Sequence, residues 1–215
     1  LGRIVEFYGL FSSGKSLIAQ KIVTQAQKEG LETVWIDAEN SFDPIFAQSL
    51  GVDINKVVLM QVGVGEDIID MLCQILKAEP GVIVIDSVAA LITRGELEES
   101  IEKAFMAPRA RLMSKTLAKI NTLNSKTLII FINQLRQNIG GYHPFTAPTG
   151  GMALSFYASL RIEVKKENEL LYEGGKKSGN AIGQVIQFKV TKNKIGQAFK
   201  TGSFRFFFKD SRIEE

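Results

Sequence analysis

The chain has 215 residues, of which 45% are hydrophobic, and a formal net charge of +3. This length suits one α/β domain with a sizeable core, and the weak positive charge permits nucleic-acid binding without arguing for it. Cys73 is the single cysteine, which excludes an intrachain disulfide; its apolar surroundings at 68–76 predict a core thiol. Since no signal peptide or membrane-spanning run is visible, we expect a cytoplasmic protein without a membrane partner.

Short apolar runs alternate with helical stretches through residue 133, which is typical of a parallel sheet with crossover helices. In chain order the predicted elements are strand 4–8, helix 15–29, strand 33–37, helix 44–50, strand 57–61, helix 66–77, strand 81–86, helix 108–123 and strand 127–133. Strands 160–164, 184–191 and 203–208 then predict an antiparallel extension of the sheet. Residues 93–107 and 136–151 are predicted to be long irregular loops, which in compact domains are usually functional.

A phosphate-binding motif follows the first predicted strand. Residues 9–16 read GLFSSGKS, a complete G-x-x-x-x-G-K-[ST] pattern between a strand and a helix. The glycines let backbone N–H groups turn toward phosphate oxygens, Lys15 adds a positive charge, and the Ser16 hydroxyl is placed to ligate Mg²⁺. An ordinary strand–turn–helix is the alternative. The predicted nucleotide-binding residues of this segment are Gly9, Ser12, Ser13, Gly14, Lys15, Ser16 and Leu17.

Two carboxylates are predicted at the same edge of the sheet. Asp86 ends the strand in GVIVIDS, from which it can reach the Mg²⁺ shell near Ser16, and Glu39 follows the strand in TVWIDAEN. A carboxylate at the position of Glu39 can orient or deprotonate a water that attacks the γ-phosphate. The alternative for Asp86 is a strand end without a function, and the alternative for Glu39 is an ordinary acidic residue on the surface. Lys192 and Lys194, just past another strand, point the same way and can stabilise phosphate charge, or else form a solvated face.

Several ordered motifs together resemble the bacterial RecA recombinase family over essentially the whole chain. They are GRIVEFYG at 2–9, SSGKS at 12–16, IDAEN with DP at 36–44, LGVD at 50–53, VIVIDSVAAL at 82–91, LIIFINQLR at 128–136, TGG at 149–151, FYAS at 156–159 and VTKNKI at 190–195. The resemblance implies a RecA-like P-loop NTPase core with a mostly parallel central sheet flanked by helices and an antiparallel extension. It also implies a single core over 1–215, with the family's N-terminal oligomerisation arm and C-terminal domain absent.

The resemblance implies ATP and Mg²⁺ as cofactors and assigns roles to matching positions. Glu39 resembles the carboxylate that activates water, and Gln134 resembles the residue that senses the γ-phosphate and signals to the adjacent DNA-binding loop. Asp43 and Phe46 fall where the family contacts adenine. Lys192 and Lys194 resemble lysines that reach across a filament interface to the neighbour's ATP. The implied catalytic set is therefore Lys15, Glu39, Gln134, Lys192 and Lys194, with Ser16 and Asp86 at the metal.

The two long loops resemble the family's two DNA-binding loops, which contact single-stranded DNA through phosphate contacts and base stacking. The implied DNA-binding residues are Met106, Arg109, Arg111, Ser114, Arg136, Ile139, Tyr142, Phe145, Gly150 and Gly151. The first loop departs from the family by carrying Glu99, Glu102 and Lys103, and the extra acids should weaken DNA affinity or stiffen the loop. His143, the only histidine, is predicted to be solvent-exposed.

The function implied by the resemblance is a DNA-dependent ATPase that forms filaments on single-stranded DNA and exchanges strands with a homologous duplex. Repair of DNA damage, the SOS response and cleavage of a self-cleaving repressor follow from the same family. One alternative is a diverged RecA-like regulatory protein of a phage or mobile element that binds ATP but exchanges strands weakly. Another is a hexameric helicase, which would call for an arginine near position 192. A small-molecule P-loop kinase fits least, because no lid-like arginine cluster is visible.

Overall fold

A ten-stranded sheet organises the chain in a computed structural model that describes residues 2–98, 106–137, 146–148, 151–175 and 179–214. Strands are numbered in chain order. They are β1 (Arg3–Gly9), β2 (Thr33–Asp37), β3 (Val57–Gln61), β4 (Val82–Asp86), β5 (Leu128–Gln137), β6 (Thr146–Pro148), β7 (Leu160–Tyr172), β8 (Ala181–Asn193), β9 (Thr201–Phe207) and β10 (Ile213–Glu214).

Six α-helices connect the strands of the described residues. They are α1 (Lys15–Lys28), α2 (Pro44–Ser49), α3 (Gly65–Ile75), α4 (Arg94–Glu98), α5 (Met106–Leu123) and α6 (Ala153–Tyr157). Local sequence explains several helix starts. Asp43 caps α2 by accepting hydrogen bonds from two backbone N–H groups, with Pro44 in the first turn, where its missing N–H costs nothing. Glu66 and Asp67 in the first turn of α3 favour its N-terminus through the helix dipole.

The strand order is β10-β9-β8-β7-β1-β5-β4-β2-β3, with β6 paired to β5. Neighbours from β7 to β3 run parallel, whereas β7 to β10 are antiparallel. Because parallel strands end at one edge, this order brings their carboxyl ends together. Gly9 lies in register with Gln134, and Asp37 with Asp86. The edge after these strands is where ligands bind in open α/β sheets.

The core consists of one apolar layer on each face of the sheet. One layer packs buried residues of β1, β2, β4 and β5 against α3, α5 and α6, with Leu117 and Ile120 fully buried. The other packs the same strands against α1 and α2 and extends onto the antiparallel strands through Val164, Ile186 and Phe206. The α1 helix is thus fixed by core packing at the edge where the phosphate-binding motif lies.

The predicted α/β fold, its mostly parallel sheet and its antiparallel extension are confirmed, with four differences in detail. The segment 93–107 is not irregular throughout, since α4 lies inside it and α5 begins at Met106. Residues 136 and 137 are not irregular as predicted, because β5 continues to Gln137 and pairs with β6. The β7–β8 hairpin is several residues longer than predicted on both strands. Cys73 is half-buried rather than a core thiol.

Candidate nucleotide-binding site

The loop between β1 and α1 has a backbone that demands glycine. Gly14 caps α1 in a left-handed conformation with φ of 96°, and an added Cβ would lie 2.6 Å from Ile186 Cδ1. A Cβ on Gly9 would lie 2.1 Å from the carbonyl oxygen of Val164. Both positions therefore admit only glycine. The contacting residues lie on β7 and β8, so these two strands pack directly against the loop. The turn predicted by the motif therefore lies between β1 and α1, and its binding of phosphate stays a prediction.

Lys15 lies inside this loop. Its Nζ donates to the carbonyl oxygen of Leu10 at 2.7 Å, to that of Gly9 at 3.3 Å and to Ser13 Oγ at 3.3 Å. Burial lowers the pKa of Lys15, and the negative charges of Asp86 and Glu39 oppose that shift. A buried ammonium held by neutral oxygens has much to gain from an anion, so the chemistry of this loop fits phosphate.

The Ser16 hydroxyl and the Asp86 carboxylate meet at the end of β4. Ser16 Oγ donates to Asp86 Oδ2 at 2.7 Å. Burial, together with the charges of Glu39 and Asp37, raises the pKa of Asp86 to about 6, although the hydrogen bond from Ser16 and the charge of Lys15 act in the opposite direction. The combined negative charge of these three carboxylates favours a divalent cation nearby. A hydroxyl beside a carboxylate is the pair of protein ligands expected for Mg²⁺ whose remaining ligands are phosphate oxygens and water. Among the described residues no group of three or more His, Cys, Asp or Glu side chains is arranged to hold a metal ion, so the candidate protein ligands here are one hydroxyl and one carboxylate.

Glu39 is held at the carboxyl edge by two donors. Ser87 Oγ and Gln134 Nε2 both donate to Glu39 Oε1, the latter at 2.6 Å. The turn that carries Glu39 is built by Asp37, whose fully buried carboxylate accepts from the backbone N–H groups of Glu39, Ser41 and Phe42. The structure therefore brings the predicted base and the predicted γ-phosphate sensor into direct contact.

The residues predicted to contact adenine have structural partners here. Asp43 accepts from the backbone N–H groups of Ile45 and Phe46 as the cap of α2. Phe46 is half-buried and lies edge-on to Phe206, with 6.2 Å between ring centroids. Leu17, predicted among the nucleotide-binding residues, points into the core, so only its backbone is available to a ligand. Ser12 adopts a φ of 54° at the loop surface.

Lys192 and Lys194 do not contact the phosphate loop of their own chain in the described hydrogen bonds. Lys192 is the penultimate residue of β8 rather than just past it. Its Nζ donates to the carbonyl oxygens of Ser155 at 2.6 Å and Phe156 at 2.9 Å, and Lys194 Nζ donates to that of Phe156 at 3.1 Å. Both ammonium groups therefore meet at the C-terminal end of α6, where helix carbonyls favour cations. The prediction that they point the same way is confirmed.

The predicted DNA-binding residues separate into two groups. On α5, Arg111 and Ser114 are exposed and three residues apart, so they share a face. Arg109 is instead in an ion pair, with its Nε 2.7 Å from Glu96 Oε1. Gly151 lies against Ala110 of α5. The side chains of Met106 and Arg136, and the whole of Ile139, Tyr142, His143, Phe145, Gly150 and the departing residues 99, 102 and 103, lie outside the described residues.

Comparison with known proteins agrees with the geometry. The family model described as RecA N-terminal domain matches residues 1–212. This chain belongs to the RecA family. Protein RecA of Fusobacterium nucleatum is 42% identical over 211 residues, which is 96% of this chain and 54% of that protein. Protein RecA of Lactobacillus delbrueckii subsp. bulgaricus is 41% identical over 204 residues, covering 93% of this chain and 60% of that protein.

Protein RecA of Nostoc sp. is 40% identical over 211 residues, 96% of this chain and 58% of that protein. The chain thus spans between half and two thirds of the length of the RecA proteins it matches. Within the part that the structure describes, no helix has the length and apolar character needed to cross a membrane.

Sequence reasoning missed several residues that build this RecA-family site. Ser87 directly follows Asp86, and Asp37 lies two residues before Glu39; their polar character at the ends of buried strands was a usable signal. Glu6, in the otherwise apolar run of β1, was another. Its partners Asn133 and Arg161 are 127 and 155 residues away in sequence, so no local pattern identifies them.

Proposed function

We propose that the chain is the ATPase core of a DNA recombinase, which binds ATP with Mg²⁺, assembles on single-stranded DNA, pairs it with a homologous duplex and hydrolyses ATP to release DNA. The observation that carries the proposal is the contact between Glu39 and Gln134, which joins the candidate base to the strand that leads into the second loop. RecA family membership supports the same activity.

Each side chain of the site has a chemical task in this mechanism. The backbone N–H groups of the loop and Lys15 bind the β- and γ-phosphates of ATP. Ser16 and Asp86 would hold Mg²⁺, which when bound offsets phosphate charge in the transition state. Among the described contacts both donors to Glu39 go to Oε1, which leaves Oε2 to accept a proton from the attacking water.

Gln134 gives the site a way to report its state. The amide Nε2 donates to Glu39, and a γ-phosphate oxygen would compete for the same donor. Because Gln134 lies within β5, three residues before its end at Gln137, a change in its partner would act on the start of the second loop. DNA in that loop would act back on Glu39 by the same contact, since coupling between two binding sites is reciprocal.

Lys192 and Lys194 complete the proposal at the level of the assembly. We place them at the ATP of a neighbouring copy in a helical filament, where an ammonium would stabilise charge on the transferring phosphate. Their bonds to the last carbonyls of α6 use two of the three N–H donors of Lys192 and one of Lys194, so each retains donors for a phosphate.

ATP hydrolysis with and without single-stranded DNA tests the proposal, with Lys15→Ala as the blank. We expect strong stimulation by DNA in the parent chain and no nucleotide binding in Lys15→Ala. Glu39→Gln should stop turnover while DNA binding in the presence of ATP persists, because the amide keeps the shape of the side chain but cannot take the proton. Hydrolysis indifferent to DNA would instead favour the regulatory alternative, and loss of both activities in Glu39→Gln would contradict the assignment of the base.

A further inference from the structure

A buried carboxylate lies in the phosphate-loop strand without a part in the chemistry above. Glu6 is 1% exposed and occupies the middle of β1. Its Oε1 accepts from Asn133 Nδ2 at 2.9 Å, and its Oε2 accepts from Arg161 Nε at 2.5 Å. Each oxygen therefore holds a different neighbouring strand, β5 on one side and β7 on the other. Moving a charged group from water into the protein interior costs free energy, so a buried ion pair of this kind contributes little to the stability of a fold.

Arg161 extends the contact to a fourth strand. Its guanidinium carbon lies 4.7 Å from the centroid of the Tyr8 ring, and the Tyr8 hydroxyl donates to Thr191 Oγ1 at 2.9 Å. Thr191 in turn donates to the carbonyl oxygen of Arg161 at 3.3 Å. A register shift makes Thr191 the extra residue of β8, and a bulge of this kind re-aims the side chains beside it. One polar network thus spans β5, β1, β7 and β8.

The two ends of this network adjoin the residues assigned to ATP hydrolysis. Asn133 immediately precedes Gln134, which lies opposite Gly9 of the phosphate loop. Arg161 lies opposite Lys192 in the β7–β8 pairing and opposite Glu6 in the β1–β7 pairing. The distance between the sensor amide and the ammonium of Lys192 therefore depends on how Glu6 ties these strands to β1.

We propose that Glu6 and Arg161 are positioning residues, which fix the Gln134 strand and the Lys192 ammonium relative to the phosphate loop. The proposal rests on the proposed function only in its kinetic part, because the placement of Lys192 can be measured without ATP. The charged groups that act on Lys192 among the described residues are Lys194 beside it, Arg161 from β7 and Glu6 from β1. The α6 helix contributes two carbonyl oxygens.

These groups act on Lys192 with opposite signs. Burial lowers the pKa of Lys192, the charges of Lys194 and Arg161 lower it further, and Glu6 raises it. Loss of Glu6 and loss of Arg161 should consequently shift the pKa in opposite directions if both act on the ammonium. A role in fold stability alone cannot give opposite signs, because both substitutions would then loosen the same structure.

The first experiment is an NMR titration of Lys192 in the intact chain labelled with ¹³C-lysine, with Lys192→Arg identifying its signal. We expect Glu6→Gln to lower the pKa of Lys192, Arg161→Gln to raise it, and the double variant to return it toward the parent value. The matched control is Glu79→Gln, which breaks an exposed pair with Lys126 and should leave Lys192 unchanged. Shifts of equal sign, or none in either variant, would overturn the proposal.

The second experiment measures kcat and KM for ATP on single-stranded DNA. Glu6→Gln should lower kcat about tenfold with KM nearly unchanged, because the reacting groups are misplaced while the phosphate loop is intact. Tyr8→Phe keeps the ring under Arg161, loses only the hydroxyl bond to Thr191, and should show a smaller loss of kcat. Opposite pKa shifts in a chain without DNA-dependent hydrolysis would support the positioning role and reject the proposed function. Unchanged kcat in an active Glu6→Gln chain would reject the positioning role alone.

Discussion

At the scale of single residues, the site is a set of charges held close together by burial. Asp86, Glu39 and Asp37 surround one region of the carboxyl edge, with Lys15 as the opposing charge. The sequence indicates Lys15, Ser16, Glu39 and Asp86 because their spacing relative to strands is local information. The hydrogen bonds that orient these side chains form only in the folded chain. The bond from Ser87 to Glu39, for example, joins residues 48 positions apart in sequence.

Asp86→Asn should stabilise the metal-free chain at neutral and alkaline pH. The pKa of Asp86 is about 6 in the folded chain against 3.8 for the ordinary group. The folded state therefore binds more protons than the unfolded state between these values, and ionisation of Asp86 lowers stability as the pH rises. The linkage between proton binding and folding gives Asp86→Asn a gain in unfolding free energy of at most about 3 kcal/mol above pH 7. This gain shrinks as the pH falls toward 4.

Thermal or urea unfolding in chelator, from pH 4 to 8, measures this effect. The same variant should lose Mg²⁺-dependent ATP binding, since the amide lacks the charge that a divalent cation requires. A gain in stability that is constant across the pH range would mean that Asp86 does not titrate as described.

Ser87→Ala should lower turnover by about tenfold and leave ATP affinity close to that of the parent chain. The variant removes one of the two donors that orient Glu39, and Gln134 alone would leave the carboxylate freer to rotate. Steady-state hydrolysis and equilibrium ATP binding give the two numbers. Ser125→Ala, an exposed serine bonded to Glu79, is the control. Equal losses of turnover and affinity would place Ser87 in the binding site instead.

At the scale of elements, the sequence predicts helices and strands that have a local residue pattern. It misses strand segments that form only by pairing with another strand. The parallel strands and α1 follow from apolar runs and the phosphate motif, and their positions agree with the structure to within a few residues. The extension of β5 to Gln137 depends on pairing with β6, which begins only at Thr146. The added length of β7 and β8 likewise depends on a partner. The two strands form backbone hydrogen bonds with each other even where their sequences are polar and carry no strand pattern.

The contact between α4 and α5 distinguishes two arginines that the sequence treats alike. Arg109 pairs with Glu96, whose other oxygen accepts from Thr93, whereas Arg111 is exposed. Burial alone would raise the pKa of Glu96, but its bonds to Thr93 and Arg109 bring it below the usual value. Arg109 thus has a structural partner, which residue type and spacing do not reveal.

We expect Arg111→Gln to weaken binding to single-stranded DNA and to reduce the salt dependence by about one phosphate contact. Arg109→Gln should cost about 1 kcal/mol of stability by removing the partner of Glu96, with a smaller change in the salt dependence. Binding isotherms at several salt concentrations and thermal unfolding of both variants separate the two effects. A larger loss of salt dependence in Arg109→Gln than in Arg111→Gln would reverse the assignment.

At the scale of the whole molecule, the site lies at a boundary between two kinds of sheet. The phosphate loop leaves β1 where the parallel strands end and the antiparallel strands begin, so Val164 and Ile186 press on its glycines. The same antiparallel strands carry Lys192 and Lys194 to α6. The strands that pack against the loop therefore also lead to these lysines, although the lysines themselves contact α6.

Mixing two inactive variants tests whether these lysines serve a neighbouring copy. A Lys15→Ala chain lacks a working ATP site but retains its lysines, and a chain with Lys192→Ala and Lys194→Ala has the reverse defect. In a head-to-tail filament each contact joins different surfaces, so a random equal mixture makes about a quarter of its contacts with an intact loop and intact lysines. We expect the mixture to recover up to about a quarter of the parent hydrolysis on single-stranded DNA. If the mixture is no more active than its two components measured separately, the lysines act only within their own chain, where they hold the end of α6.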